Sequence, residues 1–214
     1  MKKQLLNLSL AILLCSLTAL GQTPIKLTQL DSNKLPFDIK LEGKIKNAVR
    51  WTDSLGDNMV ITTETGIFQN KKFRHEEDGN DAELFAYHFL ISKDEAKQTW
   101  KVYDFIKDCP LDIEASFIKN TFQVTDLNKD DVAEIWLMYK TVCHGDVSPC
   151  DMKIIMYQGP QKFAMRGKNK VKISDRDYVG GEYKFDPAFS SGPKEFLEFA
   201  KKLWQKNIMQ TWSK

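Results

Sequence analysis

Along most of the chain after residue 44, polar and apolar residues alternate or apolar residues form short β-rich runs. A period of two is typical of strands with one buried face. The pattern predicts strands at residues 45–51, 59–65, 84–91, 99–106, 117–125, 134–142, 153–157 and 162–165. Turn segments rich in Asp, Asn and Gly separate them, so we expect an antiparallel meander. The strand at 84–91 has an alternative, because Asp81-Ala82-Glu83 is also a typical helix start.

The pattern changes near the C-terminus. Pro193 suits a first helical position, and apolar residues then recur at helical spacing with lysines between them: Phe196, Phe199, Ala200, Leu203, Trp204 and Ile208. The spacing predicts an amphipathic helix at 193–209. Such a helix can dock on a membrane or a partner, but we expect it on one face of the sheet, which would otherwise expose its apolar side chains. The predicted fold class is mainly β, and α+β overall.

The first 21 residues have the composition of a cleavable export signal. Met1-Lys2-Lys3 is a positive start, residues 5–20 are almost wholly apolar, and Ala19-Leu20-Gly21 resembles a signal-peptidase site. A membrane anchor is the alternative, but a spanning helix needs about 20 apolar residues. A lipoprotein is disfavoured because Leu precedes Cys15 where a small residue is required. We predict a mature chain beginning near Gln22, located in the periplasm or at the cell surface.

Residues 22–214 are long enough for one β-rich domain with its own core. The whole chain has 31 basic and 29 acidic residues, and removing the two leader lysines makes the numbers equal. Overall charge therefore gives no reason to expect nucleic acid or an anionic membrane as a partner. We interpret the densest basic run as the solvated face of a hairpin; it comprises Lys162, Arg166, Lys168, Lys170 and Lys172.

Residues 126–134 form the most specific local motif, Asp-Leu-Asn-Lys-Asp-Asp-Val-Ala-Glu. Oxygen side chains at positions one, three, five and nine, with a backbone carbonyl at seven, suit a hard cation such as calcium. The predicted ligands are Asp126, Asn128, Asp130, the carbonyl of Val132, and Glu134. The motif is not an EF-hand, because the twelfth position is Leu137 rather than Glu. The alternative is an Asx-rich turn whose side chains only cap their own backbone.

The motif resembles the strand-loop-strand calcium loops of FG-GAP and related propeller repeats, whose pattern is Asp-x-Asn-x-Asp-Gly followed by an acid. Here the sixth residue is Asp131 instead of Gly, where the backbone must adopt a positive φ. Residues 49–61 repeat the layout of strand, Thr-Asp, polar turn and strand. Two copies cannot close a propeller, which needs at least four blades. We therefore expect one β-domain with propeller-like hairpins.

Cys109, Cys143 and Cys150 follow the predicted signal. In an oxidising compartment, three cysteines allow one disulfide and leave one thiol. Cys143–Cys150 would close a small loop, whereas Cys109–Cys143 would join the two ends of a predicted hairpin, which lie side by side. Both pairings remain open, and we prefer Cys109–Cys143.

Known catalytic patterns are absent from the sequence: there is no His-Glu-x-x-His, Gly-rich phosphate loop or Gly-x-Ser-x-Gly. Cys143-His144-Gly145-Asp146 is the best place for a nucleophile or base, although it also suits a simple turn beside a disulfide. The tryptophans could provide stacking surfaces for sugars; they are Trp51, Trp100, Trp136, Trp204 and Trp212. We expect most of them to be buried in the core, because tryptophan is highly buried on average, and we expect Trp212 to be exposed.

Two longer segments, 51–66 (WTDSLGDNMVITTETG) and 124–167, together with the leader ending Gly21-Gln22, resemble a family of exported proteins from Bacteroidota. Some members are labelled as surface polysaccharide biosynthesis proteins. The resemblance implies a helper in building or displaying envelope glycans and identifies no catalytic residue.

Two functional hypotheses follow. The first is an exported, non-catalytic β-protein, braced by calcium, that binds a glycan or an envelope protein. The second is a glycan-processing hydrolase, which needs two carboxyl groups facing each other across a cleft. Its candidate acids are Glu76, Asp78, Asp146 and Glu182.

Overall fold

The computed structural model describes residues 25–32, 34–72, 74–76, 79–93 and 95–209. The predicted export signal at 1–21 and Trp212 lie outside these residues. Within this part of the chain, no helix is long and apolar enough to cross a membrane.

Two antiparallel sheets form the protein, which confirms the predicted mainly β class. The first sheet has the order β1-β2-β3-β4-β5 and is a meander in chain order. Its strands are β1 (Thr28–Gln29), β2 (Lys44–Asp53), β3 (Gly56–Phe68), β4 (Asn80–Ile91) and β5 (Ala96–Cys109).

The second sheet has the order β13-β10-β9-β8-β6, and β7 also pairs with β8. Its strands are β6 (Ile113–Phe117), β7 (Gln123–Thr125), β8 (Glu134–Cys143), β9 (Asp151–Gln158), β10 (Gln161–Lys168) and β13 (Tyr183–Phe185). A small ribbon pairs β11 (Lys170–Lys172) with β12 (Tyr178–Gly180). Two helices end the chain, α1 (Pro187–Ser191) and α2 (Lys194–Asn207).

The two sheets pack face to face across the largest apolar cluster. Val60 and Leu84 from the first sheet meet Ile135, Leu137 and Ile155 from the second, and all five side chains are almost fully buried. Period-two alternation places these residues on the inner faces. Each fully buried side chain of this size contributes about 2 kcal/mol of hydrophobic stabilisation.

Each sheet is also covered on its outer face. Helix α2 packs Phe196 and Trp204 against the outer face of the second sheet, as the amphipathic pattern predicted. The chain before β2 packs Leu30 and Leu41 against Met59 and Tyr87 on the outer face of the first sheet. The protein therefore has four layers: N-terminal segment, sheet, sheet and helix.

Strand β8 is buried along nearly its whole length, because it lies between the first sheet and α2. Its polar residues are consequently partnered. Lys140 Nζ lies 3.0 Å from Glu114 Oε2, and Glu134 accepts a hydrogen bond from Thr125 Oγ1 at 2.6 Å. Such pairing offsets the cost of removing these charged and polar groups from water.

The preferred disulfide, Cys109–Cys143, is present with an S–S distance of 2.06 Å, and Cys150 is buried with a free thiol. The predicted reason was wrong, however. Cys109 ends β5 of the first sheet and Cys143 ends β8 of the second, so the bond joins the two sheets rather than the ends of one hairpin. Closing a loop with a sequence separation of 34 stabilises the fold by about 3–4 kcal/mol in the chain-entropy model.

Three local predictions differ from the structure. The segment at 117–125 is not one strand but the end of β6 and all of β7, separated where Asn120 adopts a φ of 60°. Asp81 belongs to β4, so the alternative helix there is wrong. Pro193 is the N-cap of α2 rather than its first residue, and the helix ends at Asn207 instead of 209.

His88 lies on the inner face of β4, buried between two hydrogen-bond partners and two tryptophans. Its ring nitrogens lie 2.5 Å from Thr99 Oγ1 and 3.1 Å from Asn58 Oδ1. The ring stacks on Trp100, with centroids 5.1 Å apart. Burial disfavours the charged imidazole and lowers the pKa of His88 to about 4, although the charge of Asp53 partly opposes this.

We predict that this histidine makes folding stability depend on pH. His88 takes up a proton near pH 6.5 in the unfolded state but only near pH 4 in the folded state. Its contribution to the free energy of unfolding is therefore fully present above pH 6.5 and decreases as the pH falls towards 4. Acidification from pH 7.5 to 5.0 should therefore cost roughly 2 kcal/mol. Urea unfolding at pH 7.5 and at pH 5.0 measures this difference in the free energy of unfolding. His88→Gln should lose most of this difference, and an unchanged difference in that variant would contradict the assignment.

Candidate functional site

The outer face of edge strand β5 carries an exposed row of side chains. Trp100 and Val102 point into the sandwich, and alternation places Lys101, Tyr103 and Phe105 on the opposite face. Tyr103 is 49% exposed and Phe105 is 48% exposed, which is unusual for two neighbouring aromatic rings on a sheet. We call these two rings the β5 aromatic pair.

The pair continues an aromatic ladder that is buried on β4. Phe85 stacks on Tyr103, with centroids 4.9 Å apart and the ring planes 9° from parallel. Tyr103 in turn stacks on Phe105, at 5.2 Å and 19°. The ladder extends through Tyr87 to Phe89, where the rings are covered. The exposed rings are therefore held in fixed, nearly parallel planes by the buried ones.

Charged groups fix the orientation of the ladder. Tyr103 donates its hydroxyl proton to Glu83 Oε1 at 2.9 Å; burial, and then Glu83, raise the pKa of this phenol to about 12. Lys101 Nζ lies 4.6 Å from the centroid of Phe85 and 3.3 Å from Glu42 Oε2. Glu42 also accepts the hydroxyl proton of Tyr87. Both tyrosines are thus neutral donors at physiological pH.

A shallow cavity of about 220 Å³ adjoins the β5 aromatic pair. Its polar lining comes from Asn70, Asp81, Glu83 and Lys107. Enclosed small-molecule sites begin at roughly 300 Å³, so this feature is a surface depression rather than a closed active site. Amide, carboxylate and ammonium groups there provide both donors and acceptors beside two flat apolar rings.

Asp81 anchors the floor of this depression. Its carboxylate accepts hydrogen bonds from the backbone N–H of Asn70 at 2.7 Å and of Asp108 at 2.9 Å, and lies 2.7 Å from His75 Nε2. Burial by itself would raise the pKa of Asp81, but these three contacts outweigh it and lower the pKa below its usual value. The carboxylate therefore ties the loop between β3 and β4 to the end of β5.

The predicted metal ligands in residues 126–134 make hydrogen bonds among themselves. Asp126 Oδ1 accepts from the N–H of Asp130 at 3.1 Å, and Asp130 Oδ1 accepts from the N–H of Val132 at 3.0 Å. Asn128 Nδ2 donates to Asp130 Oδ2 at 2.8 Å. These contacts are those of the Asx-rich turn. Asp131 has a φ of 61°, which confirms the positive φ expected at the sixth position.

Two observations bear on calcium. Asn128 Oδ1 is buried and accepts no hydrogen bond from a described residue, so one predicted ligand oxygen lacks a donor. The carboxylate of Glu134, another predicted ligand, already has a donor: both of its oxygens lie 3.0 Å from the backbone nitrogen of Leu127 and accept its N–H. Among the residues that the structure describes, no group of three or more His, Cys, Asp or Glu side chains is arranged to hold a metal ion. Calcium binding stays a prediction.

The loop also contacts the turn that repeats its layout. The N–H of Ser54 donates to the carbonyl of Asp131 at 2.8 Å, and the N–H of Ala133 donates to Asp53 Oδ2 at 3.1 Å. Asp53 ends β2 of the first sheet and Ser54 follows it, whereas Ala133 precedes β8 of the second. The two similar segments therefore connect the sheets at this end.

The segment 143–146 is a turn beside the disulfide. Cys143 is oxidised and cannot act as a thiolate nucleophile. His144 Nδ1 lies 3.1 Å from the carbonyl oxygen of Asp146, and the carboxylate of Asp146 accepts the N–H of Ser148 at 2.9 Å. These contacts close the turn locally.

The candidate hydrolase acids belong to separate segments. Glu76 lies in the loop between β3 and β4, Asp146 follows β8, and Glu182 lies between β12 and β13. No hydrogen bond or ion pair joins any two of these three. Asp78 lies outside the described residues.

The four tryptophans that the structure describes are buried, as expected: Trp51, Trp100, Trp136 and Trp204. These four rings therefore offer no exposed stacking surface, whereas Tyr103 and Phe105 on β5 are half-exposed. The signal for the β5 aromatic pair was present in the alternation of residues 99–106, which placed Tyr103 and Phe105 opposite Trp100.

Comparison with known proteins provides no relative from which a role could be transferred. No protein-family model matches the chain, and no curated protein or solved structure matches it.

Proposed function

We propose that this protein binds a glycan, without cleaving it, on the β5 aromatic pair and the adjoining depression. The observation that carries the proposal is the fixed stack of Tyr103 and Phe105, half-exposed beside polar groups. The predicted export signal and the resemblance to exported Bacteroidota proteins support a role in the cell envelope. There the protein would hold surface polysaccharide during its synthesis or display.

The chemistry of a sugar fits this surface. The C–H face of a pyranose ring is apolar and packs on an aromatic ring, while its hydroxyl groups need donors and acceptors. Tyr103 and Phe105 provide two such rings, and Asn70, Glu83 and Lys107 provide the polar partners. An envelope protein is the other predicted partner. The mixture of flat rings and hydroxyl-binding groups favours the glycan.

The stack is also preorganised. Tyr103 is held between Phe85 and Phe105 and by its hydrogen bond to Glu83, so little side-chain freedom remains to be lost on binding. Ordering a free side chain at an interface costs about 0.5–1.5 kcal/mol. A fixed platform avoids most of this cost.

We predict that Tyr103→Ala and Phe105→Ala each weaken glycan binding about fivefold to tenfold, because each removes a stacking contact worth roughly 1 kcal/mol. An array of bacterial envelope polysaccharides, followed by titration calorimetry on the best ligand, measures the effect. Tyr178→Ala is the matched control, because Tyr178 is a similarly exposed aromatic residue on β12. Its affinity should equal that of the unmodified protein.

An array without any bound glycan, or equal losses in Tyr103→Ala and Tyr178→Ala, would refute the proposal. New reducing ends in the incubated glycan would instead establish the hydrolase.

We also propose that residues 126–134 hold a calcium ion that braces the connection between the two sheets. The support is the donor set of Asp126, Asn128 and Asp130, together with the buried Asn128 Oδ1 that accepts no described hydrogen bond. A buried acceptor without a donor costs about 1–3 kcal/mol, which a cation would relieve. Burial raises the pKa of Glu134, and a nearby cation would favour its charged form.

We predict that millimolar calcium raises the melting temperature relative to EGTA. At a hundredfold excess over Kd, binding adds about 2.7 kcal/mol to the free energy of unfolding. Asp130→Ala should abolish the rise, whereas Asp175→Ala, which removes a fully exposed acid, should preserve it. Differential scanning calorimetry measures the shift. An unchanged melting temperature in calcium would refute the calcium site, while the proposal of a glycan surface on β5 would stand.

A further inference from the structure

Three basic residues lie directly opposite one another across three neighbouring strands of the second sheet. Lys153 on β9 is the register partner of Arg166 on β10, and Arg166 is the partner of Lys184 on β13. Register partners point to the same face of a sheet, and here it is the face that carries Ala164 of the inner apolar cluster. We call this set the cationic row.

Gly167 fixes the third member of the row. A Cβ at this position would lie 2.0 Å from the carbonyl oxygen of Glu182, so only glycine lets the chain approach β10 this closely. The approach pairs β13 with β10 and places Lys184 beside Arg166. From the sequence alone, we interpreted the basic run that includes Arg166 as the solvated face of a hairpin.

An acidic side chain directly compensates one of the three charges. Asp104 on β5 pairs with Lys153, at 2.5 Å. Arg166 and Lys184 are exposed and form no ion pair with any residue in the described part of the chain. The other lysines of the basic run are engaged elsewhere: Lys168 with Asp151, Lys172 with Asp175 and Lys170 over the ring of Tyr178.

Lys162 adds a fourth positive charge next to the row. It lies on the same face of β10 as Arg166, because the two are separated by an even number of residues. Burial, and then the charge of Arg166, lower the pKa of Lys162, although Asp186 and Asp104 partly oppose the shift. A lowered pKa is the expected response of a partly buried lysine that also lies close to another cation.

This arrangement has an energetic cost for the folded protein. Like charges directly opposite each other on neighbouring strands are destabilising, by up to about 1 kcal/mol for each pair. The row contains one such pair without an acidic partner, Arg166 and Lys184, whereas Asp104 offsets the charge of Lys153. An anionic ligand would convert the repulsion into favourable contacts.

We propose that the cationic row binds the anionic groups of an acidic glycan, carboxylates or phosphates carried along a polymer. Neighbouring strands are about 4.8 Å apart, so three strands place the charges over roughly 10 Å. This span exceeds one oxyanion and suits successive charged groups on a chain. Arg166 supplies a planar fork for a carboxylate or phosphate, and Lys184 supplies a point charge beside it. Lys153 on the other side adds a cation that Asp104 already holds.

Nucleic acid fits the surface less well. Asp104 and Asp186 border the row, and the exposed aromatic side chains Tyr103 and Phe105 lie on the other face of the first sheet. A chain with 31 basic and 29 acidic residues and one short row of cations lacks the extended basic surface on which nucleic-acid affinity depends.

The test compares two double variants that remove equal charge. Arg166→Ala with Lys184→Ala removes two members of the row, and Lys170→Ala with Lys172→Ala removes two cations from β11. Binding is measured by calorimetry at low and high salt, with oligogalacturonate as the carboxylate probe, polyphosphate as the phosphate probe and dextran as the neutral control.

We expect the unmodified protein to bind oligogalacturonate, polyphosphate or both, more weakly at high salt, and the probe that binds identifies the anionic group. The row variant should bind that probe at least tenfold more weakly, and the β11 variant should remain within a factor of two. Both variants should melt no lower than the unmodified protein, because neither removes a strong ion pair. Equal losses in the two variants, or no binding of either anionic probe, would overturn the proposal. The dextran arm separates this outcome from the glycan surface on β5, which does not require charge.

Discussion

The fold depends on the burial of β8 on both faces. One face of this strand meets the first sheet and the other meets α2, so all of its residues except the last, Cys143, are buried. The apolar residues stabilise the stack of layers, and the polar ones must find partners inside it. Lys140 and Glu134 do so through Glu114 and Thr125. A strand buried in this way holds the layers together but presents almost no surface to a ligand.

The two proposed binding surfaces consequently lie at the edges of the sheets. Edge strand β5 presents Tyr103 and Phe105 on its outer face, while Asp104 between them points inward and reaches Lys153. At the far edge of the second sheet, β13 completes the cationic row. Both surfaces are built on strands with buried neighbours, which gives rigid positions to exposed side chains. This organisation supports the proposed binding of an extended polymer.

Local patterns predicted much of this fold, because period-two alternation and helical spacing follow directly from which residues are buried. Alternation placed Tyr103 on the face opposite Trp100, and the resemblance of residues 126–134 to a calcium loop predicted the positive φ of Asp131. They could not show that the N-terminal segment covers Tyr87 and leaves Tyr103 open, since that depends on contacts distant in sequence. The cationic row was missed for the same reason: Lys184 comes beside Arg166 only through the pairing of β13.

A titration of the ¹⁵N-labelled protein with an envelope polysaccharide, followed by NMR chemical shifts, tests whether sugar rings bind on the β5 aromatic pair. We predict that the largest backbone shifts occur at residues 101–107 and at Asn70, because the bound sugar rings stack on Tyr103 and Phe105. Shifts confined to other surfaces, or a spectrum unchanged by every polysaccharide tested, would contradict it.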